Sequence, residues 1–230
     1  VLLGADTAGI PPRQAPVPDF SAKVERSIQD AIEFLWSRQD PKTGAWAAND
    51  MGTDGRGARS SDRYPRGPTA LATYALIEAG ISPQDARLVK ALQWLSANET
   101  TKVYSLGLRA NAWEAANRTT KKKYRAQLVA DARALVQAGS YYGRYDYDAK
   151  GQQTAADKGY CHSNSQFGLL GVWAAARDGS IEISTRYWAK VRDHWLSQQS
   201  EAGGWKYLGL TGRGGGRGPA GGWRASAVPG

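Results

Sequence analysis

Cysteine occurs once, at Cys161, so no internal disulfide framework holds this chain and its stability has to come from packing. Phenylalanine occurs three times and methionine once, which leaves Trp and Tyr as the large aromatic residues. No apolar run approaches the ~18 residues of a membrane span, so no transmembrane segment is expected. Acidic side chains are in the minority, 21 against 30 basic, for a net charge of +9. Such an excess could serve an anionic partner. Both signs recur on the polar faces of the same expected helices, however, so the charge reads as a solvated surface and a nucleic-acid partner is not favoured. The one stretch that invites RNA or phosphate, Gly212 to Gly218, has no strand before it and no Gly-Lys-Ser/Thr after it, and reads as a flexible loop.

What is present is a chain of 230 residues, 41% hydrophobic, enough for one sizeable core. Nine Trp and eleven Tyr supply large rings with polar edges that seek hydrogen-bond partners when buried. Residues 1–20 are Pro-rich without periodicity and read as an extended arm. Val1-Leu2-Leu3-Gly4-Ala5 resembles the end of a signal segment, which would place the protein outside the cytoplasm. Residues 21–230 read as one repeat domain.

Helical periodicity then alternates between two kinds of segment. Val24, Ile28, Ile32 and Leu35 form a one-sided stripe; Gly67 to Ile77 is apolar almost all round and is closed by Gly80. Ser82-Pro83-Gln84-Asp85 predicts a capped helix start ahead of Leu88, Leu92 and Leu95. Tyr104 to Ala116 is nearly free of charge, and Tyr124, Leu128, Ala132 and Leu135 restore a stripe. Phe167 to Ala176 is small and apolar, closed by Gly179, and Trp188, Val191 and Trp195 make the next stripe. An eighth segment starts after Gly218-Pro219. The Gly-Pro at Gly67 and again at Gly218 lies 151 residues apart, which divides into three units of about 50. Half-buried helices alternating with mostly buried ones predict an all-α, two-layer arrangement of antiparallel helix hairpins.

The loops repeat as well. Gly44-Ala45-Trp46, Gly139-Ser140-Tyr141 and Gly203-Gly204-Trp205 each pair a glycine for a tight reversal with a ring two places on. Gln39 and Gln199 precede the first and last, where an amide can bond backbone groups at a helix end. Gln199-Ser200-Glu201-Ala202-Gly203-Gly204-Trp205 resembles the Gln-x-x-x-Gly-x-Trp core of the QW repeat of squalene-hopene and oxidosqualene cyclases; Gln39 to Trp46 resembles it with one extra residue. Ser165-Gln166-Phe167-Gly168-Leu169-Leu170 is similar to the start of the inner helices of that family. The link Asn98 to Lys102 departs from the pattern. The resemblance implies the α/α toroid of terpenoid cyclases and protein prenyltransferases, here a partial ring of about three and a half hairpins, interrupted at its C-terminal end.

Squalene cyclases protonate an alkene with an Asp of an Asp-x-Asp-Asp motif. The nearest counterpart is Asp146-Tyr147-Asp148-Ala149, which lacks the last Asp, so Asp146 and Asp148 read chiefly as solvated or capping residues. Prenyltransferases hold zinc with Asp, Cys and His; Asp157, Cys161 and His162 offer these types, but adjacent Cys and His point apart, and no metal or other cofactor is expected. Cys161 reads as a small buried residue, with His162 or Ser163 capping the next helix. Polar residues on the expected inner helices, Arg109, Asn111, His162, Asn164 and Gln166, are the candidate ligand contacts if they converge on one pocket. The reading favours a repeat protein that binds a small apolar ligand or a protein partner over an enzyme. The alternative is an enzyme acting on an isoprenoid or polysaccharide with Asp146, Asp148 or His162 as acid or base.

Overall fold

A computed structural model describes residues 18–46, 66–151 and 159–207. The extended arm, apart from its last residues, the segment with Asp157, the glycine-rich stretch and the eighth segment lie outside these. The regular elements among the described residues are all helices: α1 (Pro18–Ser37), α2 (Gly67–Glu78), α3 (Ala86–Ala97), α4 (Val103–Asn117), α5 (Arg125–Gly139), α6 (His162–Asp178) and α7 (Thr185–Gln198). No strand forms among them, only isolated antiparallel bridges between Gln39 and Trp46 and between Lys102 and Asp148. Residues 1–37 and 38–230 are two compact units.

In the first unit, α1 starts at Pro18, three residues before the periodicity does, consistent with proline's preset φ at a helix start. Val24 and Ile28 of its stripe are exposed and Ile32 is buried.

In the second unit, α4 is the hub, packing against α2, α5 and α6; α5 also packs on α6, and α2 on α3. Small and apolar residues on every side explain this, with Arg109 and Glu114 paired to neighbouring helices: only Tyr104, Leu108 and Asn111 of α4 are partly exposed. Small residues let α4 and α6 approach closely. A Cβ on Gly107 would lie 2.2 Å from the Phe167 carbonyl oxygen, and one on Gly171 would lie 2.8 Å from the Gly107 Cα. The one-sided helices bury their stripes, Leu88, Leu92 and Leu95 of α3 and Leu128, Ala132 and Leu135 of α5. Two apolar clusters result, one around Trp113 and Tyr124 and one around Tyr145, Val172 and Tyr187.

Three local expectations are corrected. The α3 cap is Asp85, whose Oδ1 accepts from Arg87 N–H at 2.9 Å. A carboxylate is the stronger acceptor, while the Ser82 carbonyl takes Asp85 N–H and makes a preceding turn. Cys161 rather than His162 or Ser163 caps α6, its Sγ accepting from Asn164 N–H at 3.4 Å. The reversal after α5 lies at Gly143 (φ +67°), not Gly139, so the ring folded inward is Tyr145. Tyr141 stays 42% exposed, and Gly139 has a different task, since the Tyr145 ring presses on the place its Cβ would occupy.

With that shift, two loops prove to be built alike. Gly44 (φ +77°) is pressed so closely on α3 that a Cβ would meet Lys90 and the Ala91 nitrogen at 2.6 to 2.8 Å. Gly143 is pressed in the same way on Lys190 and Val191 of α7, at 2.4 to 2.5 Å. Lys90 Nζ donates to the Pro41 carbonyl at 3.1 Å and Lys190 Nζ to the Ser140 carbonyl at 2.7 Å, each three residues before the glycine. Two residues after it, Trp46 N–H donates to Thr69 Oγ1 and Tyr145 N–H to Ser165 Oγ, both at 3.0 Å. Gln39 and Gln199 each close their own loop, donating to the carbonyls of Gly44 and Gly203 at 2.9 Å, and Gln39 also reaches the Arg87 carbonyl.

Candidate functional site

The chain contains two histidines, His162 and His194, and the fold brings them together. His162 is the first residue of α6, the position that the Cys161 cap and the preceding extended backbone set. His194 lies on α7 in line with buried Tyr187 and Val191, so helical spacing turns it inward. Their ring centroids are 5.3 Å apart, and Tyr160 and Trp195 pack against the pair. Both histidines are more than nine-tenths buried.

Hydrogen bonding around the pair is incomplete in a consistent way. His162 Nδ1 contacts the Lys206 carbonyl, and its backbone N–H donates to the Tyr207 carbonyl at 3.0 Å. A carbonyl can only accept, so Nδ1 carries a proton, and in the neutral ring Nε2 presents a lone pair. That Nε2 is buried without a partner among the described residues, as are His194 Nε2, Asn164 Oδ1 and Trp195 Nε1. Burial pushes His194 down from 6.5 to about 4, and neighbouring His162 and Arg144 add to the effect, so it is a neutral imidazole at physiological pH. Arg144 stacks over the Tyr160 and Tyr142 rings at 3.9 and 4.3 Å. Trp205 Nε1 donates to the Trp195 carbonyl at 2.8 Å, and Tyr147 and Tyr207 join through their hydroxyls at 2.6 Å.

The other candidate ligand contacts do not converge here. Arg109 turns to α5, where its fork grips Asp131 at 2.9 and 3.0 Å and a third donor reaches the Asn98 carbonyl. Trp113 Nε1 donates to the same carboxylate; burial still pushes Asp131 up to about 6, with Arg109 and Trp113 working against it, so the pair is ionised at neutral pH. Asn111 bonds back to the Gly107 carbonyl, and Gln166 is exposed. Asn164 does join the histidines' end of α6, donating to Cys161 Sγ at 3.0 Å.

The acidic candidates are engaged elsewhere. Partial burial pushes Asp148 up, but hydrogen bonds from Lys102 and Thr101 and the charges of Lys102 and Lys150 outweigh it, holding the carboxyl below its usual range. The Lys102 pair, at 2.7 Å, ties the α3 to α4 link to the loop after α5. Asp146 is exposed and accepts from Tyr147 N–H at 2.8 Å. Among the described residues no three His, Cys, Asp or Glu side chains are grouped as a metal site. A cavity of about 390 Å³ lined by Pro83, Thr120, Lys121 and Tyr124 shares no residue with the histidine cluster.

No family model matches the sequence, and neither the curated proteins nor the solved structures include a match. The cluster therefore has to be interpreted from its own chemistry. It offers two imidazole nitrogens, the Asn164 carbonyl oxygen, one indole donor and aromatic walls. His194 is the member that sequence reading missed; its signal was its place three residues after Val191 on the buried stripe of α7.

Proposed function

We propose that this chain is a repeat scaffold of the terpenoid-cyclase and prenyltransferase toroid type that binds an amphiphilic ligand without transforming it. The toroid reading is supported by the shared glycine and lysine contact of the Gly44 and Gly143 loops and by α4 packing with both α2 and α6, as inner helices of a ring would. The binding reading rests on one observation, the His162–His194 pair with both Nε2 atoms buried and without a partner among the described residues. An unsatisfied polar group in a buried site costs about 1–3 kcal/mol, and a ligand hydroxyl, which both donates and accepts, relieves that cost.

The body of the ligand would follow the face of α6. His162, Gln166, Leu170 and Trp173 recur at helical spacing, and Leu170 and Trp173 remain 43% and 47% exposed. A hydroxyl at the histidines and an apolar chain along Leu170 and Trp173 describe a prenyl alcohol better than an oligosaccharide. Farnesol is a suitable probe, with a neutral oligosaccharide for comparison. The expected result is saturable farnesol binding that moves both imidazole NMR signals and weakens about tenfold in His194→Phe, equivalent to one lost hydrogen bond of about 1.4 kcal/mol. Oligosaccharide binding that moves the same signals, or turnover of either probe, would overturn this reading.

A further inference from the structure

The cavity of about 390 Å³ lies between two loops, the Ser82 to Asp85 turn before α3 and the Arg118 to Tyr124 loop that joins α4 to α5. Its lining combines two kinds of surface. Pro83, Val89 and Tyr124 supply apolar area, and Pro83 and Tyr124 are buried. Lys121, Lys123, Thr119 and Gln84 supply N–H and O–H donors, and none of the lining residues is acidic. The acid of the facing turn, Asp85, is held by the Arg87 backbone N–H at 2.9 Å and its guanidinium at 3.1 Å.

The loop backbone divides the tasks of three consecutive lysines. Lys121 and Lys122 are both left-handed, at φ +51° and +60°, a region that glycine or asparagine enters with less strain. Lys122 turns its ammonium to the Asp178 carbonyl and, at 3.5 Å, to the Asp178 carboxylate. Lys121 and Lys123, on either side of it, line the cavity instead, and neither forms an ion pair among the described residues. Lys123 rests over the Tyr124 ring at 5.5 Å. Two like charges are thus held together beside a cavity without an acid, one of them at a backbone position where an uncharged residue would be less strained. An anion bound between them relieves their repulsion.

We propose that this cavity binds the phosphate monoester of a small aromatic or apolar molecule, with the phosphate between Lys121 and Lys123 and the ester group against Pro83, Val89 and Tyr124. A phosphate monoester carries about two negative charges at pH 7, matching the two ammonium groups, and has several acceptor oxygens for the Thr119 hydroxyl and the Gln84 amide. Thr120 already donates to the Ala116 carbonyl at 2.7 Å. The cavity is larger than phosphate alone fills, which leaves room for the ester group. The proposal shares no residue with the histidine cluster and stands or falls separately from the reading of that site.

The test is titration of the 230-residue chain with phenyl phosphate, followed by calorimetry and backbone amide NMR. Saturable binding of one molecule per chain is expected, with a Kd of about 1 mM or tighter. It should move the amides of Gln84 and of Thr119 to Tyr124 and leave both imidazole signals in place. Inorganic phosphate, which lacks the ring, and phenol, which lacks the charge, should each act on these amides at least about tenfold more weakly. Lys121→Asn, better suited to left-handed backbone, should raise the melting temperature slightly yet weaken binding about tenfold, whereas Lys121→Arg should stay within about threefold. Lys123→Gln, which does not touch a left-handed position, should also weaken binding about tenfold. No saturable binding below about 10 mM, shifts confined to other amides, inorganic phosphate bound as tightly as the ester, or full affinity in both Lys121→Asn and Lys123→Gln would overturn the proposal. Displacement of phenyl phosphate by a stoichiometric RNA oligonucleotide would overturn it too, marking a nucleic-acid surface instead.

Discussion

Among the described ion pairs, Arg109 and Asp131 stand out in having both side chains buried. Two charges are taken out of water, and a fork of two hydrogen bonds, the Asn98 carbonyl and the Trp113 indole satisfy them. Removing one partner leaves the other charge buried, so Arg109→Ala is expected to destabilise by about 3–5 kcal/mol, measured by urea denaturation. Replacement of both by residues of similar volume should cost much less than the sum of the single changes, as a double-mutant cycle would reveal. Arg109 also marks a limit of sequence reading. Its place on an otherwise apolar helix was visible, but its direction was not, because a polar residue on a fully packed helix can turn to any neighbour. Only the packing of α5 on α4 brings Asp131 to it.

At the scale of elements, the close approach of α4 and α6 depends on the absence of side chains. Gly107→Ala would drive a methyl group into the Phe167 carbonyl, which is backbone and cannot yield as a flexible side chain does. The expected cost is about 2–3 kcal/mol, with α4 and α6 moved apart and the packed rings of Tyr104 and Phe167 separated. Lys190→Met should keep the helix and remove the bond to the Ser140 carbonyl, at a cost of about 1 kcal/mol. Thermal melting checks both. Helices were the most legible feature of this sequence, since periodicity and the Gly80 and Gly179 stops depend on local chemistry. The α5 to α6 loop was misjudged by four residues. Gly139 and Gly143 both precede a tyrosine by two places, and only the backbone conformation distinguishes the reversal at Gly143 from the small residue demanded at Gly139 by the Tyr145 ring.

For the whole molecule, stability against pH combines two opposed groups. His194 is lowered from 6.5 to about 4, so the unfolded chain binds more protons in that window and stability falls as pH drops through it. Asp131 is raised from 3.8 to about 6, so the folded chain binds more protons there and stability rises as pH drops. The two slopes oppose each other between pH 6 and 4. His194→Gln should therefore expose the Asp131 contribution and make the protein gain stability, by about 1–2 kcal/mol, as pH falls from 6 to 4. Wild type should be flatter over the same range.

The site itself joins residues 32 positions apart in sequence, and no spacing rule links the end of one loop to the middle of a later helix. His162 was recognisable as a polar residue at a helix start; its partner required the fold. The presence of only two histidines makes the pair unusually accessible to measurement. Nitrogen-detected imidazole NMR of the free protein over pH 4 to 8 tests the account most directly. It predicts that His194 remains neutral until about pH 4, that His162 carries its proton on Nδ1, and that farnesol shifts the Nε2 resonances of both. A His194 that titrates near 6.5, or Nε2 signals unmoved by bound farnesol, would contradict it.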